Sequence, residues 1–385
     1  MQEETYNFYL TMSLEIRLLK DSEYKAAIDF YNNTRNLNGP AKKVMRGTHE
    51  FCWEFLNGPN RKAVYACAWD IEDGKEPVLI GTQCMIIHRM ISTDGKMILA
   101  AKGEDTLIEI NALLKFKKTD ILKELNTLLT DECRNSGVEY LWGFNSLPAT
   151  YRRLGYKIPF KSFNTVLVLN PVNAYQYLLR LRSEHTVWGK LKIATLSGLS
   201  YVCSLKRIFI QTRKKGFHIN SGINENTCLF QRAAYPDRLF FLVQDQEYLR
   251  WRIRDNPYPV KYKFFQLLDH DNIVKAQIIC SLNNNTAYIE QTLFAKDLKR
   301  KSVNFLLKSM VKSLKNELIF LVRYTGTRNN TLNIREMDLL GNMGFVLTGT
   351  GEWFTFKPLS DNSVITPDNI YLSRMYKQGR SLTYD

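Results

Sequence analysis

The chain has 385 residues, 45% of them hydrophobic and 12% aromatic, with a formal net charge of +15. That length exceeds one ordinary core, so two domains are expected, and the composition excludes extended disorder. The acidic start MQEETYNFYLTMS has no long apolar core, so no signal or transit peptide is expected and the cytoplasm is the expected location. Seven scattered cysteines without a Cys-x-x-Cys pair and five dispersed histidines point to no disulfide framework and no metal site.

In chain order, a strand is expected over Leu14 to Leu19 and a helix from about Ser22 to Thr34. An aromatic helical turn, Phe51 to Phe55, follows and is stopped by Asn57-Gly58-Pro59. Strands Ala63 to Asp70 and Val78 to Arg89 flank the polar turn Glu72 to Lys75, and Met97 to Ile110 continues as strand. Thr119 to Asn135 carries Ile121, Leu122, Leu125, Leu128 and Leu129 on one side and is expected to be helical. Val138 to Tyr156 then changes period, from an apolar strand through the turn at Asn145 to a short helix with Pro148 in its first turn and Gly155 at its end.

The second half repeats this order. Tyr248 to Ile253 with Asn256-Pro257 echoes the turn at Trp53 to Pro59. Strands Lys261 to Leu268, Ile273 to Leu282 and Thr286 to Phe294, a helix Lys301 to Leu314, a strand Leu318 to Tyr324 and a helix ending in Met343-Gly344-Phe345 complete the copy. Two matching signposts in one shared order point to duplication.

Between the halves, nine Lys or Arg stand against one acid, Glu184, from Arg180 to Lys215. The thirteen-residue uncharged run Ile193 to Leu205 is too short to span a bilayer. Packing across the domain junction is the expected use of residues 187–210, with a basic interfacial helix on anionic lipid as the alternative.

The run Tyr151-Arg-Arg-Leu-Gly-Tyr156, with Asn145 six residues before the tyrosine, resembles the Tyr-x-x-Leu-Gly-Phe/Tyr signature of the GNAT acyl-CoA N-acyltransferases. The strand and helix order of both halves is similar to that fold. The expectation is therefore an α/β protein (α+β, mixed sheet) of two tandem GNAT-like domains, each a mostly antiparallel central sheet flanked by helices. Its parts are a catalytic domain at 14–172, a basic helical connector at 173–246, a degenerate second domain at 247–360 and a tail at 361–385.

The resemblance implies acyl transfer from acetyl-CoA, or another acyl-CoA, to a small-molecule primary amine, with an amino sugar of envelope or polysaccharide metabolism as one acceptor. Such a reaction needs a neutral amine, an oxyanion stabiliser and a proton for the departing thiolate. By resemblance Tyr151 supplies that proton, Glu104 (beside Asp105) is the base, and Asn145 bonds the pantetheine arm or the substrate. Asparagine is also a good turn former, tyrosine can simply pack a helix on a sheet, and acids beside glycine often mark a solvated turn.

Ile108, Ile110, Lys115, Lys117, Lys118 and Thr119 are the cofactor-loop candidates, although the stretch Leu113 to Asp120 has none of the glycines that GNAT proteins place there. Trp53, Glu290 and Arg323, with Trp251, are candidates for the acceptor cleft. The glycine-free loop keeps two alternatives open: a tandem-GNAT aminoacyl transferase using charged tRNA, and a non-catalytic interaction protein that kept the fold.

Overall fold

The computed structural model describes residues 12–36, 45–59, 63–181, 186–223, 239–360 and 365–376. Its backbone is one thirteen-stranded sheet rather than two separate ones. The first half supplies β1 (Met12–Leu18), α1 (Tyr24–Asn36), α2 (Thr48–Phe51), β2 (Val64–Glu72), β3 (Val78–Ser92), β4 (Met97–Ile108), α3 (Ile110–Lys115), α4 (Ile121–Asn135), β5 (Val138–Asn145), α5 (Pro148–Arg153) and β6 (Lys161–Val168). The connector supplies α6 (Pro171–Leu181), α7 (Val187–Phe209), β7 (His218–Asn220) and β8 (Phe240–Leu242). The second half supplies α8 (Gln246–Leu249), β9 (Lys261–Leu268), β10 (Val274–Asn283), β11 (Thr286–Phe294), α9 (Arg300–Asn316), β12 (Leu321–Gly326), α10 (Thr331–Asn342) and β13 (Val346–Pro358).

The strand order is β1-β2-β3-β4-β5-β13-β6-β12-β11-β10-β9-β7, with β8 pairing the far end of β3. Each half therefore gives its last strand to the other. β6 pairs antiparallel with β12, and β13 runs from β6 across to β5, where Trp353 to Pro358 pair with Asn145 to Tyr140. The expected boundary at residue 172 cuts through this exchange, because neither half has a complete sheet without the other's strand.

A pseudo-twofold relation is also visible in the packing. After α2 and α8 the chain tightens into matching π-helical turns, closed by Asn57 N–H to Cys52 O (2.8 Å) and Asp255 N–H to Arg250 O (3.1 Å). Their tryptophans stack at 4.8 Å, and each indole donates to the other's backbone carbonyl, Trp53 to Trp251 at 2.9 Å and Trp251 to Trp53 at 3.0 Å. Trp142, Phe354 and Phe356 extend this aromatic core between the halves. The segment expected as a tail is partly internal: Ile370, Tyr371 and Met375 are buried, and Phe240 bridges Ile370.

Candidate active site

The site begins where two parallel strands part. β4 and β5 pair from Leu99 and Val138 as far as Lys102 and Trp142 and then diverge, while β13 follows the other edge of β5 from Tyr140 to Asn145. Glycines stand at the point of parting. A Cβ on Gly143 would lie in ordinary contact with Thr355 Oγ1 (3.6 Å) and with the Gly103 carbonyl oxygen (3.7 Å) and nitrogen (3.8 Å), so a larger side chain there would crowd the Gly103 backbone across the gap. Beyond the fork β4 is bulged, with Asp105 and Thr106 together opposite Gln83 and Asp105 at φ +49°.

The bulge breaks the usual alternation of faces along the strand. Glu104 ion-pairs with Lys102, Asp105 turns to Arg46 and to the Tyr65 hydroxyl (3.0 Å), and Thr106 meets Tyr151 on the α4–α5 side. Arg46 also reaches Glu54 at 2.7 Å. Burial opposes its charge, but the Asp105 and Glu54 carboxylates outweigh that and hold its pKa well above the usual value. Removing one partner of such a buried cluster costs about 3–5 kcal/mol, so this network fixes the bulge from behind.

Tyr151 is carried on α5, which opens with Pro148 and closes at Gly155 (φ +84°), where Tyr156 N–H donates to Tyr151 O at 3.0 Å. Its hydroxyl lies 3.4 Å from Thr106 Oγ1, on the stretch of β4 that has left β5. Burial pushes its pKa up, so the group stays protonated at neutral pH and is suited to giving a proton. Asn145 does the turn-forming work expected of it, its Oδ1 accepting from Leu147 N–H at 3.1 Å, while its buried Nδ2 has no protein partner.

On the other side of the fork, Lys102 and Phe144 border a cavity of about 280 Å³. Ser162 and Asn164 of β6, Thr325 and Thr327 at the end of β12, and Glu352 of β13 also line it, so both halves build the wall.

Two expected residue groups land elsewhere. In the loop after β4, α3 is an unforeseen helix, Ile110 is exposed on it, and Ile108 packs into the core behind β4. Lys115 is drawn to Asp70 and to Glu72 (2.7 Å) on β2. Lys117, Lys118 and Thr119 are exposed just before α4. Asp120 caps α4, its carboxylate accepting from Lys123 N–H at 3.2 Å, so an anion of the chain already holds the helix N-terminus. The loop therefore presents side-chain cations rather than a glycine backbone cradle.

Of the acceptor-cleft candidates, Trp53, Trp251 and Glu290 lie in the core and Arg323 is half-buried. Trp53 and Trp251 are consumed by their mutual stacking. Glu290 is fully buried, accepting from Ser281 and from Arg374 Nε (3.0 Å), with Arg252 at 3.8 Å. Arg323 lies over the Tyr288 ring at 5.8 Å. Sequence reading passed over Lys102, Gly103, Thr106 and Gly143; two glycines inside apolar strands are the signal that marks such a place.

A second fork exists at β11 and β12, parallel only from Thr286 and Leu321 to Tyr288 and Arg323. Counted from the last paired residues, Ile289 and Tyr324 replace Gly103 and Gly143. At the Tyr151 position, fixed by the same backbone closure (Phe345 N–H to Leu340 O, 3.2 Å), stands Leu340. Residues 365–376 fill this fork. The Tyr371 hydroxyl lies 2.9 Å from both the Thr292 carbonyl and Glu336 Oε1. The hydroxyl donates toward both oxygens, and burial raises the Glu336 pKa to about 8 against the hydrogen bonds from Thr292, Tyr371 and Tyr324 that lower it.

Two splayed parallel pairs, each followed by a helix ending at a positive-φ glycine, together with the exchanged strands, make this a tandem GNAT fold. No family model matches the chain, and no curated protein matches it. Among solved structures it is similar to a conserved protein from Enterococcus faecalis V583 described as a probable N-acyltransferase, with TM-score 0.56 and 8% identity over 90% of this chain and 73% of that one. A tandem GNAT protein from the clavulanic acid biosynthesis pathway gives TM-score 0.54 and 12% identity over 91% of this chain and 100% of that one. A GCN5-related N-acetyltransferase from Anabaena variabilis gives 0.54 and 9% over 90% and 73%.

Proposed function

We propose that the protein is an N-acyltransferase that moves an acyl group from a thioester, acetyl-CoA or a longer acyl-CoA, to a primary amine at the first fork. The observation that carries this is the glycine-lined parting of β4 and β5, with Glu104 on the bulged stretch of β4 and the Tyr151 hydroxyl of α5 against Thr106 of that stretch. Coenzyme A supplies the activated acyl group. Backbone freed on β4, with Asn145 Nδ2, would hold the arm, and Lys117, Lys118 and Arg153 would meet the phosphates. Glu104, one-third exposed, takes a proton from the incoming ammonium directly or through water, and Lys102 sets its position. The buried Tyr151 hydroxyl gives its proton to the sulfur that leaves.

The acceptor is assigned to the cavity between the halves, where Ser162, Asn164, Thr325 and Thr327 suit the hydroxyls of an amino sugar and Glu352 suits its ammonium, with Lys102 and Arg374 also on the wall. One observation favours a second donor: with Asp120 capping α4, an acyl group carried on charged tRNA would need no diphosphate seat there.

Calorimetry with acetyl-CoA, longer acyl-CoAs and tRNA, followed by a thiol-release assay with amino sugars, tests the reading. Acyl-CoA binding is expected, and Tyr151→Phe is expected to lower turnover about 100-fold with donor affinity unchanged. Glu104→Gln should remove the acidic limb of the pH profile. Full activity in Tyr151→Phe would remove that residue from the chemistry, and stabilisation by tRNA alone would replace the donor.

A further inference from the structure

The connector helix α7 is amphipathic in the opposite sense to an ordinary surface helix. Its inward face carries Ser197, Ser200 and Ser204 with Ile193, and packs on α6 and β6. Contact is so close at Ser204 that a Cβ on Gly344 would come within 2.5 Å of its Cα, which, with φ +95°, explains glycine at that turn. Beyond α7 the chain is anchored to the second half, where Lys308 Nζ donates to Ile210 O at 2.7 Å and Asn304 Nδ2 to Gln211 O at 3.1 Å.

The apolar residues point the other way. Val187, Trp188, Leu191, Leu199, Val202 and Phe209 are all more than half exposed, Trp188 at 74% and Phe209 at 85%. At 100° per residue they form one stripe down a 23-residue helix. Lys190 and Lys192 flank that stripe, Lys206 falls within it near the C-terminal end, exposed Ile208 lies at its edge with Lys190, and exposed Arg213, Lys214 and Lys215 follow. No acidic residue occurs from His185 to Asn224.

We propose that this face of α7 docks on an anionic lipid bilayer, lying in the interface with its apolar stripe among the acyl chains and its lysines at the headgroups. Charge complementarity selects this partner, because a basic rim without one carboxylate repels a second copy of the same rim and attracts acidic headgroups. Among the described residues no helix is long and apolar enough to cross a membrane, so the contact is peripheral. The inference goes beyond the acyl-transfer reading and holds or fails independently of it.

The test is flotation of the full chain with vesicles of phosphatidylcholine alone and with about one-third phosphatidylglycerol, at low and high salt. Binding to the anionic vesicles is expected, at least about tenfold stronger than to the neutral ones and weakened by salt. Leu191→Asp with Val202→Asp should abolish it with an unchanged melting temperature, since both side chains are exposed, and Lys190→Glu with Lys192→Glu should weaken it severalfold. The proposal is overturned if the folded wild-type chain stays with the soluble fraction at low salt, or if the aspartate pair binds as well as wild type. Sedimentation showing a dimer that the aspartate pair dissolves, without vesicle binding, would instead assign the face to a second copy.

Discussion

The two forks of this sheet start from the same backbone and end differently. In the first, glycines 103 and 143 leave the divergence free of side chains and a tyrosine hydroxyl reaches the released strand. In the second, Ile289 and Tyr324 occupy the parting, Leu340 replaces the tyrosine, and Tyr371 satisfies the strand carbonyl from the chain's own C-terminal segment. A splayed pair leaves backbone groups without ladder partners, and these must be met by a ligand, by water or by protein. The second half meets them with protein. Its fork is filled by core, whereas the first stays open for the proposed chemistry.

The largest effect that would break this contrast is Tyr371→Ala. Emptying the second fork removes a buried ring and its hydroxyl bonds, and is expected to cost about 3–5 kcal/mol in urea unfolding. A loss below about 1 kcal/mol would mean the segment is a loose cover. Filling the first fork is the converse experiment. Gly143→Val should leave the melting temperature within a few degrees of wild type but lower transfer about 100-fold, since its side chain would crowd the Gly103 backbone across the gap.

Per pH unit, a smaller effect separates the forks. The folded-state pKa of Glu336 is raised, so its contribution to stability is complete below about 4.5, declines as pH rises and is lost once pH passes about 8. Glu336→Gln is therefore expected to flatten the fall in unfolding free energy between about pH 5 and about pH 8, by at most about 1.4 kcal/mol per unit. An unchanged slope would show that another group carries it. The smallest expected effect is at the loop. Lys115→Ala should leave donor affinity unchanged, because Asp70 and Glu72 already hold that ammonium, whereas Lys117→Glu with Lys118→Glu should weaken it severalfold.

Local chemistry was legible from residues alone. Gly155 and Gly344 announced left-handed helix ends, Pro148 a helix start and Asn145 a turn, because each constraint acts within a few residues. The echo of Trp53 in Trp251 announced duplication, and the structure makes the pair a reciprocal hydrogen-bonded stack. That same stack shows why they were misread as acceptor contacts: an aromatic that suits a binding cleft equally suits a core, and sequence does not record its partner.

The sequence by itself determined most of the elements, though not α3 or β13, together with their repeated order and the Tyr151 corner, all set by short-range periodicity and backbone preference. Only the tertiary structure decided that β6 and β13 change places, that residues 365–376 close the second fork, that Asp120 rather than a ligand caps α4, and that α7 turns its serines inward. Each of those outcomes depends on which of several compatible surfaces meet. That choice is made by packing between segments up to about two hundred residues apart, as between Thr355 and Gly143, where the chain carries no local mark of it.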